Sequence, residues 1–277
     1  MNQKSLVLTI TKFVLLGLWL VITMFPFYWI VATSFKDPTV IAEYPVRYWA
    51  ENPTLRNYRS IFTDATFGQY LFNSFLVASL SAAVSTFIAL LSGYVLARFR
   101  FKSKPAVMMA FLVTQMIPAF IALGPLYMMM TRLGLVDSRI GLGVVYVAMC
   151  IPFASIMLRG FFDNIPDTLE EAAMVDGCTR FTALFRIIIP VMTPGITAAY
   201  IFNFVNCWNE LFLSVTLINS DEHKTIPTAL NGFISSFNID WGPMSAAAVL
   251  TIVPTMLLFA FASKYIIQGL TSGAVKG

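Results

Sequence analysis

Long apolar runs broken by short polar stretches set the pattern of this chain. A membrane helix needs about 20 mostly apolar residues, and six segments meet that length: 13–32, 71–97, 106–130, 140–158, 194–218 and 244–267. Hydrocarbon leaves backbone polar groups no partner outside the chain, so a span is a helix or a closed barrel. Runs this long without period-2 alternation exclude the barrel. The pattern predicts an all-α, polytopic protein with six spans and one membrane domain over 1–277.

Composition agrees. Of the 277 residues, 58% are hydrophobic and 12% charged, about half the charged share of an ordinary soluble domain. The net charge of +4 would suggest nucleic acid in a soluble protein. Here the basic residues mostly flank apolar runs, where they set orientation, so no nucleic-acid partner is expected. The short connection Arg98-Phe-Arg-Phe-Lys-Ser-Lys104 carries four basic residues and no acid, which marks it as cytoplasmic. With six spans, both termini and the loop at 159–190 then lie inside. Lys4 and Lys12 precede a first run too long for a signal-peptide core, with no small-x-small cleavage site, so it is expected to stay as an uncleaved span.

The external segments are then 34–70, a turn near 132–139, and 219–243. Tyr44, Tyr48, Trp49 and Tyr58 in the first of these suit headgroup depth. Prolines 26, 118, 125, 152 and 254 fall inside spans, where each removes a backbone donor and tends to kink a helix. The third span, with Gln115, Pro118 and Pro125, is the most interrupted. Such helices line cavities in transporters, or simply fit a crowded bundle. Gln115 either lines a pathway or satisfies a carbonyl freed by the kink.

Enzyme chemistry finds no purchase. No glycine is followed by lysine, so the phosphate loop that cradles ATP is missing. Metalloprotease and serine-hydrolase motifs are missing too, and His223 is the one histidine, read as a solvated loop residue. Cys150, Cys178 and Cys207 are far apart in sequence and form no metal-binding spacing. They read as packing residues, as do the methionines at 108–109 and 128–130.

One stretch departs from the apolar rule: PDTLEEAAMVDGCTRFTALFRIIIP at 166–190. Asp167-x-x-Glu170 has the form of a capping box, Gly177 suits a left-handed stop, and a second helix is expected from about 179 to 189, closing before Pro190. The prediction is a helix, a sharp turn and a helix. Leu169, Ala172 and Ala173 form a small-residue stripe on the first helix, and Phe181, Leu184, Phe185 and Ile188 repeat the spacing on the second. An amphipathic segment lying on lipid favours Lys and Arg. This one carries Asp163, Asp167, Glu170, Glu171 and Asp176, so a protein partner is the better match.

Glu171-Ala172-Ala173-x-x-Asp176-Gly177, with Ile187 and Pro190 following, resembles the EAA loop of ATP-binding-cassette importer permeases. Ile189-Pro190 stands where the family usually has Leu-Pro. The resemblance extends through Ser34-Phe35-Lys36, Asn73-Ser74, Tyr94-Val-Leu-Ala-Arg98, Leu133-Gly134-Leu135 with Asp137, Trp208-Asn209-Glu210 and the tail from Gly269 to Gly277. It is nearest to the carbohydrate-type permeases similar to the smaller subunit of the maltose importer. That resemblance implies a bacterial inner-membrane subunit partnered by membrane lipid, a second permease, two ATPase subunits and an extracytoplasmic solute-binding protein. This chain would hold no cofactor; ATP and Mg would reside on the ATPase subunits. Glu170, Glu171, Ala172, Ala173, Asp176, Gly177 and Pro190 are the implied ATPase-coupling residues. Asn231, Gly232, Ser235 and Ser236 lie where relatives of the maltose type reach toward the binding protein. An ion-coupled transporter or a membrane scaffold would need no such docking loop.

The fifth span places Asn203, Asn206 and Glu210 at i, i+3 and i+7, with Trp208 and Asn209 nearby. A carboxylate inside a span is costly and points to function, and amides beside an aromatic suit sugar. The same amides could instead be interhelical glue.

Overall fold

The computed structural model describes residues 3–63, 66–234 and 239–274, with side chains described between 8 and 261. Among them the backbone is helical or loop, apart from an isolated bridge between Ile234 and Ile239. Four helices are long and apolar enough to cross a membrane: Leu8–Ser34, Phe67–Arg98, Arg139–Asp163 and Trp241–Phe261. Two bent pairs raise the total to six if each pair counts as one span.

The bends mark where the sequence pattern was too simple. The third run divides into Lys104–Met116 and Ala119–Arg132, which meet at 101°. Pro118 sits at the break with φ −59° and ψ 127°, and Ile117 before it is extended, as a residue preceding proline prefers to be. Pro26, Pro125, Pro152 and Pro254 lie inside helices that continue through them. The second bent pair joins Arg180–Val191 to Thr193–Asn209 at 77°, and the fifth run is itself divided: Thr193–Asn209 ends at Glu210, whose backbone is extended, and a short helix Phe212–Leu217 follows. The Trp241–Ala274 helix runs into the tail; Val275 onward lies outside the described residues.

The chain forms two compact units. One comprises the residues up to Gly68 together with Leu230–Val253. Within it, the buried Asn57 amide donates to the carbonyls of Ser34 and Lys36 at 2.9 and 2.8 Å, satisfying backbone groups at the end of the first helix. The Lys36 ammonium lies 4.2 Å from the Trp29 ring centroid and donates to the Arg47 carbonyl.

The second unit comprises Gln69–Ala229 and Pro254 onward. Its core joins Ala89, Leu90 and Tyr94 of the Phe67–Arg98 helix to Ala154, Leu158 and Phe162 of the Arg139–Asp163 helix, and to Leu184, Ile188, Met192 and Ala199. Lipid is as apolar as these side chains, so close packing and interhelical hydrogen bonds, rather than escape from water, hold such helices together. Gly93 shows the mechanism: a Cβ there would stand 3.0 Å from the Arg159 backbone nitrogen. Hydrogen leaves room for two helices to touch. One turn of the crossing is joined by the Ser92 and Ser155 hydroxyls, 2.5 Å apart.

Candidate functional site

Two places in the second unit concentrate polar chemistry. The first is the 166–190 stretch, which folds as a helix, a turn and a helix. Thr168–Val175 is helical and Gly177 has φ +88°, the left-handed stop that the sequence predicts. Backbone bonds from Gly177 to the Met174 carbonyl and from Cys178 to the Ala173 carbonyl close the turn. Thr179 caps the next helix through its hydroxyl, which accepts the Thr182 N–H.

Three details correct the sequence expectation. Asp167 makes no capping bond and is itself helical in conformation; its carboxylate meets Arg98 at 2.7 Å. The capping box therefore does not form, because an arginine from a distant helix takes both of its acidic members. The second helix does not close before Pro190. Arg180–Ala183 passes into a π-helical turn over Leu184–Ile188 and on through Ile189–Val191. In the wider turn the Ile189 N–H bonds to the Leu184 carbonyl, and Pro190, which has no N–H to place, fits the first turn beyond it. The apolar stripes also divide. Ala173 is buried while Leu169 and Ala172 are exposed; Leu184 and Ile188 enter the core while Phe181 and Phe185 face outward.

The outward residues form a surface. Val175 is 87% exposed and Phe181 69%, with Glu171, Ala172, Asp176, Gly177 and Pro190 also exposed. The Phe181 and Phe185 rings lie 4.6 Å apart, tilted by 41°. Glu170 and Ala173 are the buried members of the candidate coupling set; Glu170 points inward, where its carboxylate accepts from Arg98 Nε at 2.7 Å and from the Tyr94 hydroxyl at 3.0 Å.

The second place is the break at Glu210. A pocket of about 190 Å³ is lined by Gln115, Tyr146, Met149, Cys150, Phe153, Phe202, Asn206, Cys207 and Glu210. The structure thus brings together Gln115 of the Lys104–Met116 helix with Asn206 and Glu210 of the fifth run. Asn203, which helical spacing put on the same face, bonds instead to the hydroxyls of Ser85 and Thr86 at 3.0 and 3.1 Å. It is interhelical glue. Trp208 is buried against Phe204, ring centroids 5.4 Å apart, and Asn209 is exposed with its amide on the Val205 carbonyl. Glu210 accepts the backbone N–H groups of Leu213 and Ser214 and the Tyr146 hydroxyl. Sequence reasoning missed Tyr146 and the cysteine pair, Cys150 and Cys207, whose sulfurs lie 3.6 Å apart in the pocket wall. Spacing along one helix carries no record of what the next helix presents.

Asn231 and Gly232 are exposed in the last turn of the Ile226–Gly232 helix. Ser235 and Ser236 lie outside the described residues. His223, expected in solvent, bonds to Ser220 through Nδ1 at 3.1 Å and is only partly exposed. Its neighbour Asp137, with φ +56°, accepts the N–H groups of Asn219 and Ser220, each at 2.9 Å. Those donors hold its carboxyl below the usual carboxylate range, that of Ser220 most strongly.

Comparison with known proteins bears out the resemblance. Residues 85–272 match the family described as binding-protein-dependent transport system inner membrane component. The chain is 35% identical over 266 residues to the sulfoquinovosyl glycerol transport system permease protein SmoH of Agrobacterium fabrum, covering 96% of this chain and 93% of that one. It is 36% identical to the diacetylchitobiose uptake system permease protein DasC of Streptomyces coelicolor, covering 92% of each. It is 32% identical to the trehalose/maltose transport system permease protein MalG of Thermococcus litoralis, covering 93% of each. Its fold matches a solved bacterial ABC transporter involved in import of the acidic polysaccharide alginate, with a TM-score of 0.83 at 20% identity, over 96% of this chain and 99% of that one. The chain is a multi-pass membrane protein and belongs to the family of inner membrane components of binding-protein-dependent transport systems.

Proposed function

We propose that this chain is a permease subunit of an ATP-driven importer for a carbohydrate or a related polyol or glycoside. Its six spans form half of a pathway completed by a second permease. Two ATPase subunits, which hold ATP and Mg, dock on the 166–190 loop. Substrate arrives from an extracytoplasmic binding protein, which meets the segment between the fifth and sixth spans that carries Asn231 and Gly232. Both termini and the docking loop lie on the cytoplasmic side, a reading that the basic 98–104 connection supports.

The observation that carries this reading is the outward face of the loop, where Val175, Phe181 and Phe185 stand exposed beside Glu171 and Asp176. Apolar groups rimmed by charge suit a protein partner, and the two carboxylates disfavour anionic lipid. The sugar relatives support the substrate class. In the mechanism, closure of the ATPase pair moves the loop, and the spans turn between outward and inward cavities. Gln115 and Asn206 supply amide donors and acceptors to the pathway, while Phe153 and Phe202, stacked at 4.2 Å, supply its aromatic wall.

The test is coexpression with the ATPase, second permease and binding protein encoded alongside. A complex that copurifies and shows binding-protein-dependent, ATP-driven sugar uptake supports the reading. Transport by the chain alone, or failure to bind the ATPase, sinks it.

A further inference from the structure

The 166–190 loop is joined covalently to the fourth and fifth spans only. Arg98, the last residue of the Phe67–Arg98 helix, adds a third connection. Its Nε donates to Glu170 Oε1 at 2.7 Å, and its Nη1 meets Asp167 Oδ1 at 2.7 Å. The same guanidinium donates to the Phe162 carbonyl at 3.2 Å and the Ile165 carbonyl at 2.9 Å. One planar group therefore ties the second span to the end of the fourth span, to the connection after it and to the first helix of the loop. The Arg98 and Glu170 side chains are each 7% exposed. Tyr94, one turn earlier, donates to the other Glu170 oxygen, so both oxygens of that carboxylate are engaged inside the chain.

We propose that Arg98 and Glu170 form an internal clasp that transmits movement of the docking loop to the second span, and that Glu170, unlike its neighbour Glu171, makes no contact with the ATPase. Arg98 and Glu170 are positioning residues. The proposal rests on the importer reading above. Its physical basis is that a buried pair resists opening: separating the partners leaves an uncompensated charge away from water, and a guanidinium fork holds orientation as well as distance. A push on Val175 or Phe181 then reaches a helix some 70 positions away in sequence without slack at the Asn164–Pro166 connection.

The experiment uses the full importer in proteoliposomes with its binding protein. Arg98→Gln and Glu170→Gln are expected to retain ATPase copurification and ATP hydrolysis while sugar uptake per ATP falls about tenfold, within the usual range of coupling between linked sites. The double variant is expected to be no worse than either single one, since one interaction is lost only once. Arg98→Lys keeps the charge without the fork, is expected to lose part of the coupling, and replaces Arg98→Gln if that variant does not insert. Unchanged uptake per ATP in the single variants, additive losses in the double variant, or loss of ATPase binding in Glu170→Gln alone each overturns the clasp. A wild-type complex that fails to transport refutes the importer reading instead, so the two failures are separable.

Discussion

The Glu210 carboxylate holds the backbone N–H of Leu213 between its two oxygens, at 3.1 and 3.0 Å. It therefore does for the Phe212–Leu217 helix what an N-capping side chain does, three residues ahead of the donor. A broken span leaves N–H groups without intrahelical partners, and membrane depth provides no water to satisfy them. The carboxylate that looked like a substrate ligand from sequence is largely committed to the backbone, with one edge on the pocket.

Glu210→Ala should accordingly destabilise the protein by about 1–2 kcal/mol, the upper part of the range for a lost cap. Glu210→Gln keeps an acceptor and should lose less. Thermal melting of the detergent-purified chain measures both; an alanine variant that melts with the wild type would show that the cap contributes nothing.

Gly177 carries the turn between the two loop helices at φ +88°, and a Cβ there would meet nothing within 4 Å. The cost of substitution is thus in the backbone alone. Gly177→Val is expected to strain the turn by about 1–3 kcal/mol and to lower uptake per ATP while the chain still inserts. Gly177→Asn should be milder, because asparagine visits the left-handed region. Parallel uptake and hydrolysis assays decide; equal coupling in the valine variant would remove the turn from the mechanism.

Asp137 is expected to give a small acid-sensitive contribution. Its folded carboxyl titrates below the ordinary value because Ser220 and Asn219 donate to it. The stabilisation is therefore present above the unfolded value of about 3.9 and is lost as pH falls through the lower folded value. Asp137→Asn tolerates the positive φ and removes the charge. The variant should be less stable at neutral pH by no more than about 1 kcal/mol, since the side chain is partly solvated, and the gap should close as pH falls below about 4. Melting temperatures across that range test the sign: a gap that stays constant with pH would mean the charge is not responsible.

Much of the site was legible because it is local. Pro166, Gly177 and Thr179 act on the backbone within a few residues, so the helix, turn and helix followed from chemistry that needs no distant partner. The six apolar runs were legible for a different reason, that the bilayer sets their length. Which residue of an equal pair turns inward was not legible. Glu170 and Glu171 are chemically the same and adjacent, and only Arg98 and Tyr94, contributed by another helix, select the first. Arg98 itself counted in sequence as one of four basic residues in a short connection; the fold draws it away from solvent.

The sequence by itself determined that this chain crosses a membrane and carries one charged helix, turn and helix among its apolar runs, because composition, span length and turn residues act without knowledge of neighbours. Tertiary structure alone decided where helices break and what the polar residues bind. Pro118 breaks its helix while four other prolines do not, and Asn203 bonds to Ser85 while Asn206 lines a pocket. A buried polar group takes whichever partner the packing brings within reach, and packing is a property of the assembled helices.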